Sequence, residues 1–340
     1  MALPPMARFG GIYATDLQHV TADISEVEFG GRWAVAVPFT GQPVFARFAT
    51  WQEGVVPSDL LGWWPGIDTA SWTSSMSRSG YMQAVDTTRA RIERGEVYQV
   101  NICRIRSAVL DPEADVMALD ALLQDGNPAP YSGALRLPEH QVHIACASPE
   151  LYLSRDETRI ASGPIKGTAT DPSGISAKDE AENIMIVDLV RNDLSRCAQT
   201  GSVRVTELLD IQKHPGLVQL VSTITADLSH GNEWGELLAA TFPPGSVTGA
   251  PKSTAVQLIE ELEEEPRSIY CGAFGWIDAD KNQAELAVAI RTFWFDGDQL
   301  KFGTGAGITW NSDAEMEWEE TELKARRLSE VASWTRNSHG

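Results

Sequence analysis

Two pairs of acids in this chain are spaced to meet a cation. Asp179 and Glu182 stand three residues apart, as do Glu317 and Glu320, with Lys324 one turn beyond. Residues three or four apart share a helix face, so each pair would present its carboxylates together. Two helices facing one another with such carboxylates suit a hard divalent cation. Mg²⁺ takes one or two protein carboxylates and completes its octahedron with water and substrate oxygens. From spacing alone, solvated acidic helix faces are the competing description, and the acid-rich C-terminal stretch favours it.

Three further features carry chemistry. Lys166, in Pro164-Ile165-Lys166-Gly167-Thr168, follows a stiff pair and precedes a glycine hinge. In a loop it is a solvated charge, whereas a desolvated lysine amine is a nucleophile. Arg291, in Ala289-Ile290-Arg291-Thr292, falls within an apolar strand-like run. A charge there needs a partner, either an anionic ligand or a structural acid. Gly303-Thr304-Gly305-Ala306-Gly307 offers bare backbone amides to a carboxylate. A tight turn or bulge accounts for it equally, and no strand-to-helix step follows to make it a dinucleotide fingerprint.

The elements that position these residues are partly readable. Residues 82–94 pattern as a helix stopped by Gly95. Residues 97–108 pattern as a strand, with Tyr98, Val100 and Ile102 on one face and Gln99, Asn101 and Cys103 on the other. Short strands follow at 131–137, 141–147, 151–154 and 158–162, then a Gly/Pro/Thr-rich loop over 163–174. Ser176 and Asp179 form a capping-box pattern that opens a helix to about residue 198. Strands are expected at 202–207 and 218–228, and helices at 233–240 and 252–264. An antiparallel group is expected at 270–277, 284–295 and 299–310. Ser312 and Glu315 match a capping box for a last helix to about residue 333. Residues 1–80 read as short strands and loops. Helices between runs of antiparallel strands argue for an α+β fold.

Composition narrows the function. With 340 residues, 43% of them apolar, the chain can bury a large core. No apolar run is long enough for a membrane span, and the first ten residues lack the pattern of a secretory signal. Cys103, Cys146, Cys197 and Cys271 are scattered without a C-x-x-C pair, as reduced core thiols of a cytoplasmic protein would be. A formal net charge of −20 disfavours nucleic acid and anionic membranes as partners. An anionic substrate would need a local cationic pocket, and the chain has only seven lysines to build one.

In order along the chain, the motifs Gly95-Glu96-Val97-Tyr98-Gln99-Val100-Asn101, Ser148-Pro149-Glu150, Pro164 to Thr168, Ala177-Lys178-Asp179, Ala181-Glu182-Asn183 and Ile186-Val187-Asp188-Leu189 resemble those of the chorismate-utilising enzymes. The likeness continues through Arg191-Asn192-Asp193, Leu220-Val221-Ser222-Thr223, Gly245 to Lys252, Ile290-Arg291-Thr292, and Glu319-Glu320-Thr321 with Lys324. It covers three quarters of the chain and is strongest to the aminodeoxychorismate-forming branch. The resemblance implies two antiparallel sheets packed face to face under outer helices, with a catalytic domain over 81–336 and a shortened N-terminal part of the same unit over 1–80. It implies Mg²⁺ between Glu182 and Glu320, with Asp179 and Glu317 as further candidate ligands. Arg291 would pair a pyruvyl carboxylate, and Gly305, Ala306, Gly307 and Lys324 would surround a ring carboxylate. Gln99, Thr168 and Ser246 complete the implied substrate site.

Two positions separate the branches. Water-adding relatives carry a lysine base where this chain has Gln99, and a neutral amide does not activate water. Lys166 stands where anthranilate synthases have alanine, which implies a covalent route with Lys166 as nucleophile and Glu150 as general acid. Ammonia would come from a partner glutamine amidotransferase subunit, and the product would serve p-aminobenzoate and folate synthesis. One departure is Gln219, where relatives usually carry histidine; it argues mildly against aromatisation. The short N-terminal region argues against feedback by tryptophan. The competing readings are an anthranilate or 2-amino-2-deoxyisochorismate synthase subunit, and a non-catalytic member serving as a binding partner.

Overall fold

The computed structural model describes residues 3–336 apart from 170, 215–216 and 230–232, and apart from the side chains of 168, 213, 214 and 217. The N-terminal strands are β1 (Met6–Phe9), β2 (Ile12–Thr21), β3 (Arg32–Val37), β4 (Val44–Glu53) and β5 (Thr73–Ser74). Then come α1 (Arg78–Glu93), β6 (Gln99–Val109), α2 (Val116–Gly126), β7 (Tyr131–Leu137), β8 (Val142–Ser148), β9 (Leu151–Asp156), β10 (Arg159–Gly163) and β11 (Ile165–Ala169). The chain continues through α3 (Ala177–Ser195), β12 (Arg204–His214), β13 (Leu217–Asp227), α4 (Trp234–Thr241), β14 (Gly249–Ala250) and α5 (Lys252–Leu262). It closes with β15 (Ala273–Asp278), β16 (Gln283–Val288), β17 (Thr292–Asp296), β18 (Gln299–Ile308) and α6 (Ala314–Ala332).

Every pairing between these strands is antiparallel. One layer runs β12, β13, β10, β9, β16, β15, β3, β4, with β11 also against β13. The ladder passes through β2 and β1 into a second layer, β7, β8, β17, β18, β6, edged by β5 and β14. The continuous ladder doubles back, so that the rings of Phe9 on β1 and Phe274 on β15 meet at 5.3 Å. The layers bury Val35, Phe45 and Leu286 from one side against Leu135, Ile144 and Cys146 from the other. Helices cover the outside of the second layer. Met117 and Leu119 of α2 and Leu328 of α6 pack on Phe293 and Phe302, while Tyr81 and Val85 of α1 and Leu258 of α5 pack on Val100 and Ile102. The fold is α+β, two antiparallel layers face to face beneath helices. Among the described residues no helix is long and apolar enough to cross a membrane, and all four cysteines are free and buried.

Four details depart from the pattern reading. Residues 163–174 are not all loop, because β11 forms there by pairing Ile165 and Lys166 with Val221 and Leu220. The run 284–295 is two strands, broken where Arg291 turns left-handed with φ 51°. The last helix is capped by Asp313, which accepts from the Met316 N–H, while Ser312 accepts from the Thr309 N–H. Finally, α1 begins at Arg78, four residues early, because Ser77 caps it.

Candidate active site

Lys166 is placed by a kink. Gly167 adopts φ +75°, and a side chain there would meet Asp179 Cβ at 2.8 Å. The register of β11 against β13 slips at the same point. The half-buried Lys166 therefore turns its Nζ inward, where it donates to the Ser246 carbonyl at 3.5 Å. Gly307 closes the space opposite: a Cβ there would stand 3.4 Å from Lys166 Nζ and 2.6 Å from Gln99 Nε2. Gln99 is fully buried, and both polar atoms of its amide lack a hydrogen-bond partner. A buried amide left bare costs on the order of 1–3 kcal/mol, so this pocket is shaped for a polar guest or ordered water.

Glu150 leaves the β8–β9 turn with its N–H given to Ser148 Oγ at 3.1 Å. Its carboxyl is buried, and that burial pushes it up to about 7, against the opposing pull of the Ser246 hydroxyl, Lys166, the Ile165 N–H and Lys324. Ser246 thus serves two neighbours, its carbonyl facing Lys166 and its hydroxyl facing Glu150. The loop carrying it is fixed at several points. Asn101 and Tyr98 N–H groups donate to the Thr248 and Ala250 carbonyls at 2.9 and 2.7 Å. Lys252 pairs Asp193 at 2.7 Å and donates to the Thr241 carbonyl at 2.8 Å.

The predicted acids converge from α3 and α6, with one exception. Asp179 completes the capping box of α3, accepting from Ser176 N at 2.9 Å and Ser176 Oγ at 2.6 Å, so its carboxylate is spent on the helix start. Burial raises the Glu182 carboxyl above its ordinary range, opposed by Lys166 and Lys178 and reinforced by Glu317 and Glu320. Glu182 Oε1 is buried without a hydrogen-bond partner. Partial desolvation pulls Glu320, whose side chain is 45% exposed, in the same direction, but Lys324 at 2.6 Å, with Lys166 and Lys178, holds it below its ordinary range. Lys178 Nζ reaches Glu317 at 3.3 Å and Glu182 at 3.7 Å. Among the described residues no three metal-ligating side chains form a cage. The residues nevertheless fit a hard cation that wants two carboxylates and outside oxygens, because the buried Glu182 Oε1 lies beside two other acids and accepts no hydrogen bond, Lys178 Nζ standing 3.7 Å away.

Arg291 resolves its own ambiguity. Its backbone carbonyl is held by the Ala147 N–H at 3.0 Å, and burial lowers its guanidinium with no acid opposing. Among the described residues no carboxylate pairs with its guanidinium. In the glycine-rich strand, Lys324 donates to the Gly305 carbonyl at 3.0 Å. Cys103 and Asn101, opposite Gly305 and Gly307, send their N–H groups away from β18 to Glu263 and Thr248. By the alternation of an antiparallel ladder, the Gly305 and Gly307 amides face the open edge and the Ala306 amide faces β6. Gln219 is buried on β13 opposite the backbone of Thr168; the Thr168 side chain lies outside the described residues.

Lys178 is the residue that pattern reading did not single out. Its signal was a positive charge in the first turn of a capped helix, where the macrodipole disfavours it, four residues before Glu182.

The family model for chorismate binding enzymes matches residues 65–330. The chain is 38% identical to aminodeoxychorismate synthase component 1 of Escherichia coli over 272 residues, covering 76% of this chain and 59% of that protein. It is 35% identical to anthranilate synthase component 1 of Aquifex aeolicus over 274 residues, 77% of this chain and 54% of that one. It thus spans under two thirds of the length of these relatives. In fold it is similar to anthranilate synthase component I from Streptococcus pneumoniae, with TM-score 0.76, 23% identity and coverage of 88% and 80%. The menaquinone-specific isochorismate synthase from Escherichia coli gives TM-score 0.79 at 18% identity, covering 96% and 88%. With a family match over residues 65–330 and a relative 38% identical over 76% of its length, this chain belongs to the chorismate binding enzymes.

Proposed function

We propose that this chain converts chorismate and ammonia to 4-amino-4-deoxychorismate, as the synthase subunit of a cytoplasmic enzyme fed by a partner glutamine amidotransferase, for p-aminobenzoate and folate synthesis. The observation that carries the reading is the juxtaposition of Lys166 with a carboxyl, Glu150, that titrates near neutrality at about 7. Relatives of that name at 38% identity support it. Residues 1–80 belong to the same folding unit in this reading, supported by β1 pairing with β7 and β3 with β15.

In the proposed reaction the Lys166 amine attacks ring carbon C2. The two conjugated ring double bonds shift together toward C4, and the C4 hydroxyl leaves as water with a proton from Glu150. Ammonia then attacks C4, the two double bonds shift back, the Lys166 amine departs, and a proton from the new C4 ammonium restores Glu150. Arg291 binds the pyruvyl carboxylate, while Lys324 and the Gly305 and Gly307 amides hold the ring carboxylate. Ser246 fixes Glu150, and the Gln99 amide lines the C2 side without acting as a base. Mg²⁺ held by Glu182 and Glu320, with Glu317 beside them, would supply Lewis acidity toward the ring carboxylate.

The deciding experiment incubates the purified protein with chorismate, an ammonium salt and Mg²⁺ and locates nitrogen in the product by NMR. Nitrogen at C4 supports the reading, whereas nitrogen at C2 or anthranilate transfers the chain to the second reading, favoured by the Aquifex aeolicus relative at 35% identity. No consumption of chorismate supports a non-catalytic member.

A further inference from the structure

Lys178 sits where helix physics disfavours it. It is the second residue of α3, inside the first turn, where the positive end of the macrodipole repels an ammonium. It is also N-terminal to Glu182 at i,i+4, the weaker orientation for such a pair. Local helix stability therefore does not account for it. Its contacts across the helix pair do: Nζ lies 3.3 Å from Glu317 on α6 and 3.7 Å from Glu182 on its own helix. Glu317 is 3% exposed while the lysine side chain is 46% exposed. A solvated ammonium thus reaches in to neutralise a buried acid. Lys324 does the corresponding work for Glu320 from within α6, but is also anchored on the Gly305 carbonyl. Lys178 has no such second anchor among the described residues, where its ammonium contacts the two acids.

We infer that Lys178 is a built-in competitor of the divalent cation: its ammonium holds the Glu182 and Glu317 carboxylates and must release them before a cation takes its place. The inference rests on the reading of these acids as the cation site. Two positive species cannot share that oxygen set at contact distance, so the free energy of the Lys178 contacts is subtracted from cation affinity. The exposure of the lysine gives it somewhere to go, because its four-carbon stem can swing the head into water when displaced. The device keeps a group of three acids from repelling an anionic substrate before the cation arrives. It also sets the cation affinity low, leaving room for a substrate carboxylate to raise it.

The test titrates Mn²⁺ into the full-length protein without chorismate, by calorimetry and by loss of the free Mn²⁺ electron-spin signal. Lys178→Met should tighten Mn²⁺ binding about tenfold, while Lys178→Arg, which keeps the charge, should stay near the wild-type affinity. Without cation, Lys178→Met should melt at lower temperature than wild type, and Mn²⁺ should restore the loss. Binding by Lys178→Met that is equal to or weaker than wild type overturns the inference, and assigns Lys178 to supporting the site. Tightening that survives the added Glu182→Gln change also overturns it, since the cation would then bind elsewhere. If neither wild type nor Lys178→Met binds Mn²⁺, the cation reading fails and this inference falls with it.

Discussion

Replacing Glu150 by glutamine separates the cost of the proposed acid from its use. The carboxyl is ordinarily near 4.5 and burial pushes it to about 7. Below 4.5 it is protonated in the folded and unfolded chains alike and has no effect on stability. Between 4.5 and about 7 the unfolded chain ionises while the folded one keeps its proton, so stability falls as pH rises. Above about 7 the full cost of a buried carboxylate is in place. At about 1.36 kcal/mol per pH unit, that interval is worth roughly 3 kcal/mol. Glutamine has nearly the same shape and does not titrate. Urea unfolding of wild type and Glu150→Gln from about pH 4.5 to pH 8.5, at fixed ionic strength, should give curves that diverge. Whatever their offset at low pH, the variant should gain about 3 kcal/mol on wild type by the alkaline end. Groups remote from residue 150 titrate alike in both proteins and cancel in the difference. The variant should meanwhile lose about 10²- to 10⁴-fold in activity, the usual worth of a positioned acid, and wild-type kcat/KM should fall above about pH 7. Parallel unfolding curves would refute the claim that Glu150 is held protonated by burial.

Lys166→Arg should abolish 4-amino product, because arginine stays protonated and is a poor nucleophile; the same product at near wild-type rate, measured by chromatography, would leave Lys166 as a binding charge only. Glu182→Gln or Glu320→Gln should each remove activity at ordinary Mg²⁺ with a circular dichroism spectrum unchanged, and full turnover by either would end the metal assignment. Arg291→Ala should lower kcat/KM by on the order of 30- to 100-fold through a lost charged hydrogen bond. It should leave unfolding free energy unchanged or higher, since the guanidinium has no acid partner to lose. Glutamine should support turnover only with a separate amidotransferase subunit present, whereas ammonium at high pH should serve alone. Cys103, Cys146, Cys197 and Cys271 are all buried, and glutaminase activity from this chain by itself would contradict the assignment.

Where a structural decision is local, the residues announced it. Ser176 and Asp179 form the capping box that their spacing predicts, and the helix follows at once. The strand at Gln99 was legible from alternation, but both of its faces are buried, since helices cover one and the site lies at the other. Alternation cannot report that. Where the decision is tertiary, the residues were silent. Gly163 to Gly174 has the composition of a loop, and β11 exists only because β13 presents Val221 and Leu220 to pair with it. Asp179 and Glu182 look equivalent by spacing, yet one caps a helix and the other faces a second helix. Ser312 and Asp313 are both good caps, and the hydroxyl of Ser312 was taken by the Thr309 N–H. The most informative property of the site, polar groups buried without partners, is a statement about neighbours and has no one-residue signature. The family motifs placed Arg291 and Gln99 in the site, but only the fold reveals that Arg291 has no acid and Gln99 no hydrogen bond.

An acidic protein that takes an anionic substrate must solve a problem of placement rather than of total charge. This chain carries 47 acidic and 27 basic residues besides histidine, and three of its seven lysines, Lys166, Lys178 and Lys324, surround one group of acids. Those acids draw two partly exposed ammoniums inward, Lys178 onto Glu317 and Glu182 and Lys324 onto Glu320. Arg291, by contrast, has no acid partner among the described residues. The balance is therefore uneven: carboxylates are matched by ammoniums across α3 and α6, and in the proposed reading the guanidinium is kept for a carboxylate that arrives from outside. A protein with the same net charge spread evenly would repel such a ligand. Here the long-range field opposes approach only weakly at physiological ionic strength, where it decays over about 8 Å. In the proposed reading the short-range field, set by the bare arginine and the open glycine amides, decides binding.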